Sequence, residues 1–182
     1  TDVAAADLTA DTIRVDGSAA VSLEGNTTAG HVAVNAAATV AIGADAQADA
    51  VTLSGAQAEL SAAGTVGTVT IASDRNQLAV TGTVSAVEVT RDASGTTVSA
   101  EAGGQIDAVS AAGAGMTVQG DGIVAKLAVS EGASDITVNT TGTKIDNNSS
   151  EAVTAGTGSV EPGKAGTSQG AEQAPTQDGP SS

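Results

Sequence analysis

The sequence predicts an all-β fold, a parallel β-helix (solenoid) of about seven three-sided coils of 18–20 residues, with a disordered C-terminal tail. Three observations predict it. Pairs of apolar residues with one polar or small residue between them recur at a nearly constant step, as stacked strands require. About five residues separate the two pairs of one coil, which is too many for a two-residue hairpin. The chain also lacks Phe, Tyr and Trp, so its interior must be narrow.

The first strand of each coil is predicted from a pair of apolar residues. The first members of successive pairs are 19, 19, 18 and 18 residues apart over the first five coils, and about 20 residues apart for each of the next two. The side chains within a pair point to one face of a strand, because residues two apart share a face. The pairs are Ile13/Val15, Val32/Val34, Val51/Leu53, Val69/Ile71, Val87/Val89, a weaker pair near Val109, and Leu127/Val129.

The second and third sides of each coil are predicted in the same way. The second-strand pairs are Val21/Leu23, Val40/Ile42, Leu60/Ala62, Leu78/Val80, Thr96/Val98, Met116/Val118 and Ile136/Val138. A shorter third side passes through Ala29, Ala48, Val66, Val84, Ile106 and Val124. Glycines are expected at corners that need a positive φ angle, at Gly17, Gly43, Gly55, Gly64, Gly82, Gly95, Gly120 and Gly142.

The coil from Gln105 to Val124 fits the repeat least well. A strict overlay places Asp107 at an inward position, where an unpaired carboxylate would cost several kcal/mol. We therefore expect the register to slip, with Ile106 and Val109 inward and Asp107 outside.

The repeat divides the chain into three parts. Residues 1–12 are either a partial coil or a short amphipathic helix that covers the first coil. Residues 13–146 form the parallel β-helix. Residues 147–182 are rich in Gly, Pro, Ser and Gln and are predicted to be a disordered polar tail or linker, because they hold too little apolar surface to offset chain entropy.

The net charge, the length of the apolar runs and the absence of Cys exclude several functional classes. A net charge of −15 with only six Lys and Arg argues against binding to nucleic acid or to an anionic membrane surface. No apolar run reaches the roughly 18 residues of a membrane-spanning helix, so membrane insertion is not expected. The absence of Cys excludes disulfides and thiolate metal sites.

No pattern indicates catalysis, and we predict no catalytic, cofactor-binding or metal-binding residues and no cofactor. The acidic residues do not repeat at one outward position of successive coils. They are Asp16, Asp45, Glu59, Asp74, Glu88, Asp92, Glu101, Asp121, Glu131 and Asp135.

His31 is the single histidine and has no Ser, Asp or second His at a recurring spacing, so we expect it at a surface corner. Thr97, Thr117 and Thr137 stack at 20-residue intervals, but the preceding positions are expected to be Ser22, Ala41, Ser61 and Ala79, which interrupts the array needed to order water.

Two segments indicate a family resemblance. HVAVNAAATVAIGADA from His31 and LAVTGTVSAVEV from Leu78 resemble the Ala/Val/Thr/Gly-rich β-solenoid segments of large secreted bacterial surface proteins, which often accompany S-layer homology modules. The resemblance covers roughly Ile13 to Ile145 and has no catalytic motif. It implies an extracellular location at the cell surface or cell wall. The coil length is also similar to that of the bactofilin polymers, although their typical pattern of glycines and charges is absent.

The sequence therefore predicts a non-enzymatic structural or spacer segment, a rigid acidic rod that displays or connects other modules. The alternatives are an adhesin-like module that binds glycan or protein through its outer face, and a scaffold that assembles with its own copies. Other surface-protein modules are the expected partners.

Overall fold

A computed structural model describes residues 2–169, which contain twenty β-strands and no helix. The strands form two sheets of mostly parallel strands, and each coil contributes one strand to each sheet, except that one coil contributes both β14 and β15 to the same sheet. The short-strand sheet contains β1 (Asp2–Ala6), β3 (Ala20–Glu24), β5 (Thr39–Ile42), β7 (Glu59–Ala62), β9 (Gln77–Val80), β11 (Thr97–Ala100), β13 (Thr117–Gln119), β16 (Thr137–Val138), β18 (Val153–Ala155) and β19 (Gly158–Val160). The long-strand sheet contains β2 (Thr9–Val15), β4 (Thr28–Val34), β6 (Gln47–Leu53), β8 (Thr65–Ile71), β10 (Thr83–Val89), β12 (Gln105–Ala111), β14 (Ile123–Val124), β15 (Lys126–Val129), β17 (Thr141–Asn147) and β20 (Lys164–Gln169).

The predicted parallel β-helix is confirmed, with about eight turns where about seven were expected. The additional turn ends in β17, where a buried polar residue, Asn147, occupies the inward position that Val129 holds in the coil before. The alternation of apolar residues therefore weakens there although the strand continues.

The long strand of each coil bends and so supplies two of its three sides. In β8, Val66, Val69 and Ile71 are buried, whereas Gly67 and Thr68 between them are only partly buried. Two consecutive residues outside the core place a corner within the strand, since a straight strand would alternate. The predicted third side is thus the first part of the long strand, and all six of its predicted apolar residues are buried.

Neighbouring coils stack in register. Val32, Val51, Val69 and Val87 lie directly above one another and form one aliphatic column of the core. Such columns fill the interior with close contacts between identical or similar side chains, which is how a solenoid buries apolar surface without aromatic residues. All predicted first-strand positions lie in these columns, and all are buried except Ile13 in the first coil, which is partly buried.

The short-strand register differs from the prediction by two residues from the fifth coil onward. Val98 pairs with Leu78, so the inward pair of the fifth coil is Val98 and Ala100 and not Thr96 and Val98. Val118 and Val138 follow Val98 in this column, so the shift continues in the sixth and seventh coils, where the pairs Met116/Val118 and Ile136/Val138 were predicted. The cause is a turn between β10 and β11 that is two residues longer than the turn between β8 and β9. Thr96 is nevertheless buried, at the end of this turn.

Some glycines adopt a positive φ angle, as the sequence indicated, and others allow stacked coils to approach closely, which the sequence did not indicate. Gly95, Gly120 and Gly142 have positive φ angles, as predicted. At Gly64 a Cβ atom would lie 2.1 Å from the carbonyl oxygen of Ala46, although its φ is not positive. The close approach of stacked coils, and not backbone conformation, therefore requires glycine there, and the expectation of positive φ at Gly17, Gly43, Gly55, Gly64 and Gly82 was wrong.

The slipped register of the sixth coil is confirmed. Ile106 and Val109 are fully buried in β12, whereas Asp107 between them is exposed and accepts a hydrogen bond of 2.8 Å from Gln105 Nε2.

The two ends of the rod differ. At the N-terminal end β1 pairs in parallel with β3, so these residues form a partial coil and no helix. At the other end, β18 and β19 form an antiparallel hairpin, and β20 pairs antiparallel with β17. We refer to residues 148–169 as the C-terminal cap.

The prediction of a disordered segment from residue 147 was wrong as far as residue 169. The cap has few apolar residues, which is why the sequence pattern ends, but its buried polar groups pair with one another. Asn147 Nδ2 donates to the carbonyl oxygens of Glu151, at 2.7 Å, and Val160, at 2.8 Å. Residues 170–182, for which disorder was also predicted, lie outside the described residues.

Candidate functional site

Two of the outward carboxylates, those of Asp16 and Asp74, accept hydrogen bonds from polar residues of the next coil. Asp16 accepts hydrogen bonds from Asn35 Nδ2 at 2.6 Å and from Arg14 at 3.3 Å. The hydrogen bond from Asn35, followed by that from Arg14, lowers the pKa of Asp16 below its ordinary value. The ion pair with Arg14 is exposed, so it adds little to stability.

Asp74 connects two successive coils at a turn. Its Oδ1 accepts a hydrogen bond from the Ser94 hydroxyl at 2.8 Å and one from the Ser94 backbone N–H at 2.9 Å. These two hydrogen bonds, the hydroxyl first, lower the pKa of Asp74 below its ordinary value. A carboxylate with a lowered pKa is a poor general acid or base at neutral pH. Asp74 is therefore suited to positioning a turn.

His31 lies on the outer face of β4, in the column between Thr12 and Ala50. Its Nε2 is 2.9 Å from the hydroxyl oxygen of Thr52 on the next coil, and its side chain is partly buried. No carboxylate or second histidine hydrogen-bonds to it within residues 2–169. Its surroundings therefore offer neither a charge relay nor a set of metal ligands.

The threonine column is longer than the sequence indicated. Thr97, Thr117, Thr137 and Thr154 lie directly above one another in four successive short strands. Because of the two-residue shift in register, the preceding members are Gln77, Glu59 and Thr39, and not the series that includes Ala79. The column is one residue wide, so it offers no two-dimensional array of hydroxyl groups.

A shallow groove that the sequence reasoning missed lies on the long-strand sheet beside the cap. It is lined by Lys126, Lys144, Ile145, Asp146, Ala165, Gly166 and Thr167. The two lysines are partners in adjacent strands and are exposed, so two cations stand side by side on an otherwise acidic rod. Their spacing of 18 residues, one coil length, was the available signal.

A metal centre and a membrane-spanning helix are both missing from residues 2–169. No three or more His, Asp or Glu side chains in this range are grouped so that they could hold a metal ion. The same range contains no helix that could span a membrane.

Comparisons with known proteins identify no relative. No family model, no curated protein and no solved structure matches the chain. The resemblance to S-layer-associated solenoids and the extracellular location thus stay predictions.

Proposed function

We propose that this protein is a non-enzymatic structural spacer, a rigid acidic rod that holds other modules of a bacterial surface protein at a fixed separation. The observation that supports the proposal most directly is the continuity of both sheets over the described residues. In-register columns run from the first coil to the eighth without an interrupting loop. Strands about 4.8 Å apart give the eight coils a length of roughly 38 Å.

The construction of the core supports stiffness. The inward columns consist mainly of Val, Ile, Leu and Ala, nearly all of them fully buried. Each coil packs directly on the next through backbone hydrogen bonds and these side chains, so bending the rod would open both at once. A spacer requires this resistance to bending.

The surface supports the proposal as well. One outward column of the short strands carries small residues, Ser22, Ala41, Ser61 and Ala79. The net charge of −15 favours solubility and opposes lateral association of like rods. A rod with such a surface keeps the modules at its ends apart without binding to its neighbours.

The rigid-spacer proposal is tested by a distance measurement. Ala20 and Thr154 are exposed, occupy one column and lie seven coils apart, and the chain has no natural cysteine. Spin labels on the double variant A20C/T154C should give one narrow distribution whose centre reflects a backbone separation of about 34 Å. The distribution should not change with ionic strength. A broad or bimodal distribution would contradict the rigid rod.

The groove beside the cap favours a second function, an adhesin-like module that contacts an acidic glycan or protein. Lys126 and Lys144 would supply the charge, and Asp146 and Thr167 the hydrogen bonds. A glycan array that includes acidic sugars tests this function. Selective binding that is lost in the variant K126Q/K144Q would support it and would count against a purely passive spacer.

A further inference from the structure

Most asparagines of this chain belong to one short motif. Four of the six are followed two positions later by Ser or Thr, with no Pro between, and these are Asn26, Asn139, Asn147 and Asn148. Asn-x-Ser/Thr is the acceptor motif for N-linked glycosylation, in which an oligosaccharide is attached to the side-chain amide. The amide must also be accessible, and its backbone must be able to enter an enzyme. The structure distinguishes the four copies on both counts.

The copy at Asn26 presents its amide and its hydroxyl on one exposed side of the chain. Asn26 lies in the turn between β3 and β4, and Thr28 is the first residue of β4. Both are exposed, whereas Thr27 between them is buried. Residues two apart share a face of an extended chain, so Asn26 and Thr28 are presented together. An enzyme that recognises both groups can reach them from solvent.

The backbone at Asn26 is not held by the stacking of the coils. Its N–H donates to the carboxylate of the exposed residue Asp7, at 2.9 Å, and not to a backbone carbonyl. The side-chain amide of Asn26 has no hydrogen-bond partner among residues 2–169. The acceptor nitrogen is therefore free, and the turn can move without the loss of a bond between sheet strands.

The other three copies are held by neighbouring parts of the rod. Asn139 and Asn148 donate their backbone N–H groups to carbonyl oxygens of the preceding coil, at 2.6 Å and 2.8 Å. Asn147 is fully buried, and its Nδ2 already donates to two carbonyl oxygens. Movement of any of them onto an enzyme would break contacts between neighbouring coils or within the cap. Asn26 is thus the copy that is both exposed and free of coil-to-coil backbone bonds.

We propose that Asn26 is an acceptor site for an N-linked oligosaccharide. The Asn26 Nδ2 forms a bond to the anomeric carbon of an oligosaccharide carried on a polyprenyl diphosphate, and the bond from that carbon to the diphosphate oxygen breaks. The diphosphate leaves with the electron pair, and the amide nitrogen gives up one proton to a base of the transferring enzyme. The proposal rests on the proposed function in one respect, that a surface protein meets this enzyme and its lipid-linked donor.

The position of the site is compatible with a spacer. Asn26 lies at a corner between the two sheets, so a glycan there extends from the edge of the rod and leaves the outer faces of both sheets uncovered. The adjacent residue Thr27 fixes the base of the turn, because its hydroxyl lies 3.0 Å from the carbonyl oxygen of Ala5. A bulky, hydrated group at this corner adds to solubility without disturbing the core.

The test combines the purified, folded chain with a purified oligosaccharyltransferase and a polyprenyl-diphosphate oligosaccharide. Mass spectrometry of proteolytic fragments measures the occupancy of each asparagine. The variant Asn26→Gln removes the acceptor amide, and Thr28→Val removes the hydroxyl of the motif at an exposed strand position. The matched control is Thr9→Val, because Thr9 is exposed and occupies the same column one coil earlier.

We expect a glycan at Asn26 in the original chain and in T9V, none at position 26 in N26Q, and an occupancy lower by about tenfold or more in T28V. The buried Asn147 should stay unmodified, although its motif is complete.

An original chain without a glycan at Asn26 would overturn the proposal. Occupancy at Asn139, Asn147 or Asn148 equal to that at Asn26 would also overturn it, because the structure would then not select the acceptor. The spin-label distance between positions 20 and 154 is measured on the unmodified chain, so the acceptor site and the rigid spacer can fail separately.

Discussion

Replacement of Asn147 by Ala should open the C-terminal cap while the coils remain folded. The Asn147 side chain is fully buried and makes four hydrogen bonds. Its Nδ2 donates to the carbonyl oxygens of Glu151 and Val160, and its Oδ1 accepts from the backbone N–H of Ser149, at 3.0 Å, and from its hydroxyl, at 2.7 Å. At about 1 kcal/mol for each net hydrogen bond, the loss is about 3–4 kcal/mol.

Hydrogen exchange measures this loss locally, which matters because a solenoid can unfold in parts. A cost of about 3–4 kcal/mol corresponds to exchange roughly 100- to 1,000-fold faster in β18, β19 and β20. The matched control is Asn148→Ala, since Asn148 is adjacent and exposed. Exchange in the cap of the N147A variant within about threefold of the control would refute the reasoning, and so would equal loss of protection in the central coils.

Three further predictions concern the coils. Thr96→Val should raise the free energy of unfolding by about 1–2 kcal/mol, because the buried Thr96 hydroxyl has no hydrogen-bond partner. Urea denaturation measures this change, and Thr97→Val serves as a nearly neutral control. Gly64→Ala should destabilise the protein by at least about 2 kcal/mol, because the new Cβ would lie 2.1 Å from a backbone oxygen. Gly17→Ala, whose Cβ would have no atom within 4 Å, should change the urea midpoint little. Since the pKa of Asp74 is lowered from 3.8, its ionised form stabilises the fold above that pH, and this contribution is lost as the pH falls through 3.8 towards the lowered value. The acid-side fall in urea midpoint should therefore be shallower in Asp74→Asn, and an unchanged pH profile would contradict the assignment.

The sequence predicted the coils well because their stability comes from a periodic pattern. Val69 and Ile71 repeat the inward positions of Val51 and Leu53 after 18 residues, and such a repeat leaves few alternative folds. Local turn length is not periodic, and this explains the register error at Val98. A two-residue insertion in a polar turn preserves alternation on both sides, so only the structure reveals which strands are partners.

The cap and the groove could not be predicted for a different reason. The cap is stabilised by hydrogen bonds between buried polar groups, such as those of Asn147 and Ser149. A polar segment of this composition is also typical of a disordered tail, so composition alone does not distinguish the two. Lys126 and Lys144 could have been placed side by side from their 18-residue spacing, but the groove also needs β20, whose antiparallel return has no apolar pattern.

The central claim, parallel strands stacked in register, is tested most directly by a molecular ruler along one column. A spin label at Ala20 is paired in turn with a label at Thr97, four coils away, and at Thr137, six coils away. Parallel stacking in register predicts backbone separations of about 19 and 29 Å, a constant increment of about 4.8 Å for each coil. Distances that do not increase in proportion to the number of coils, as in an antiparallel sandwich where the chain folds back, would contradict it.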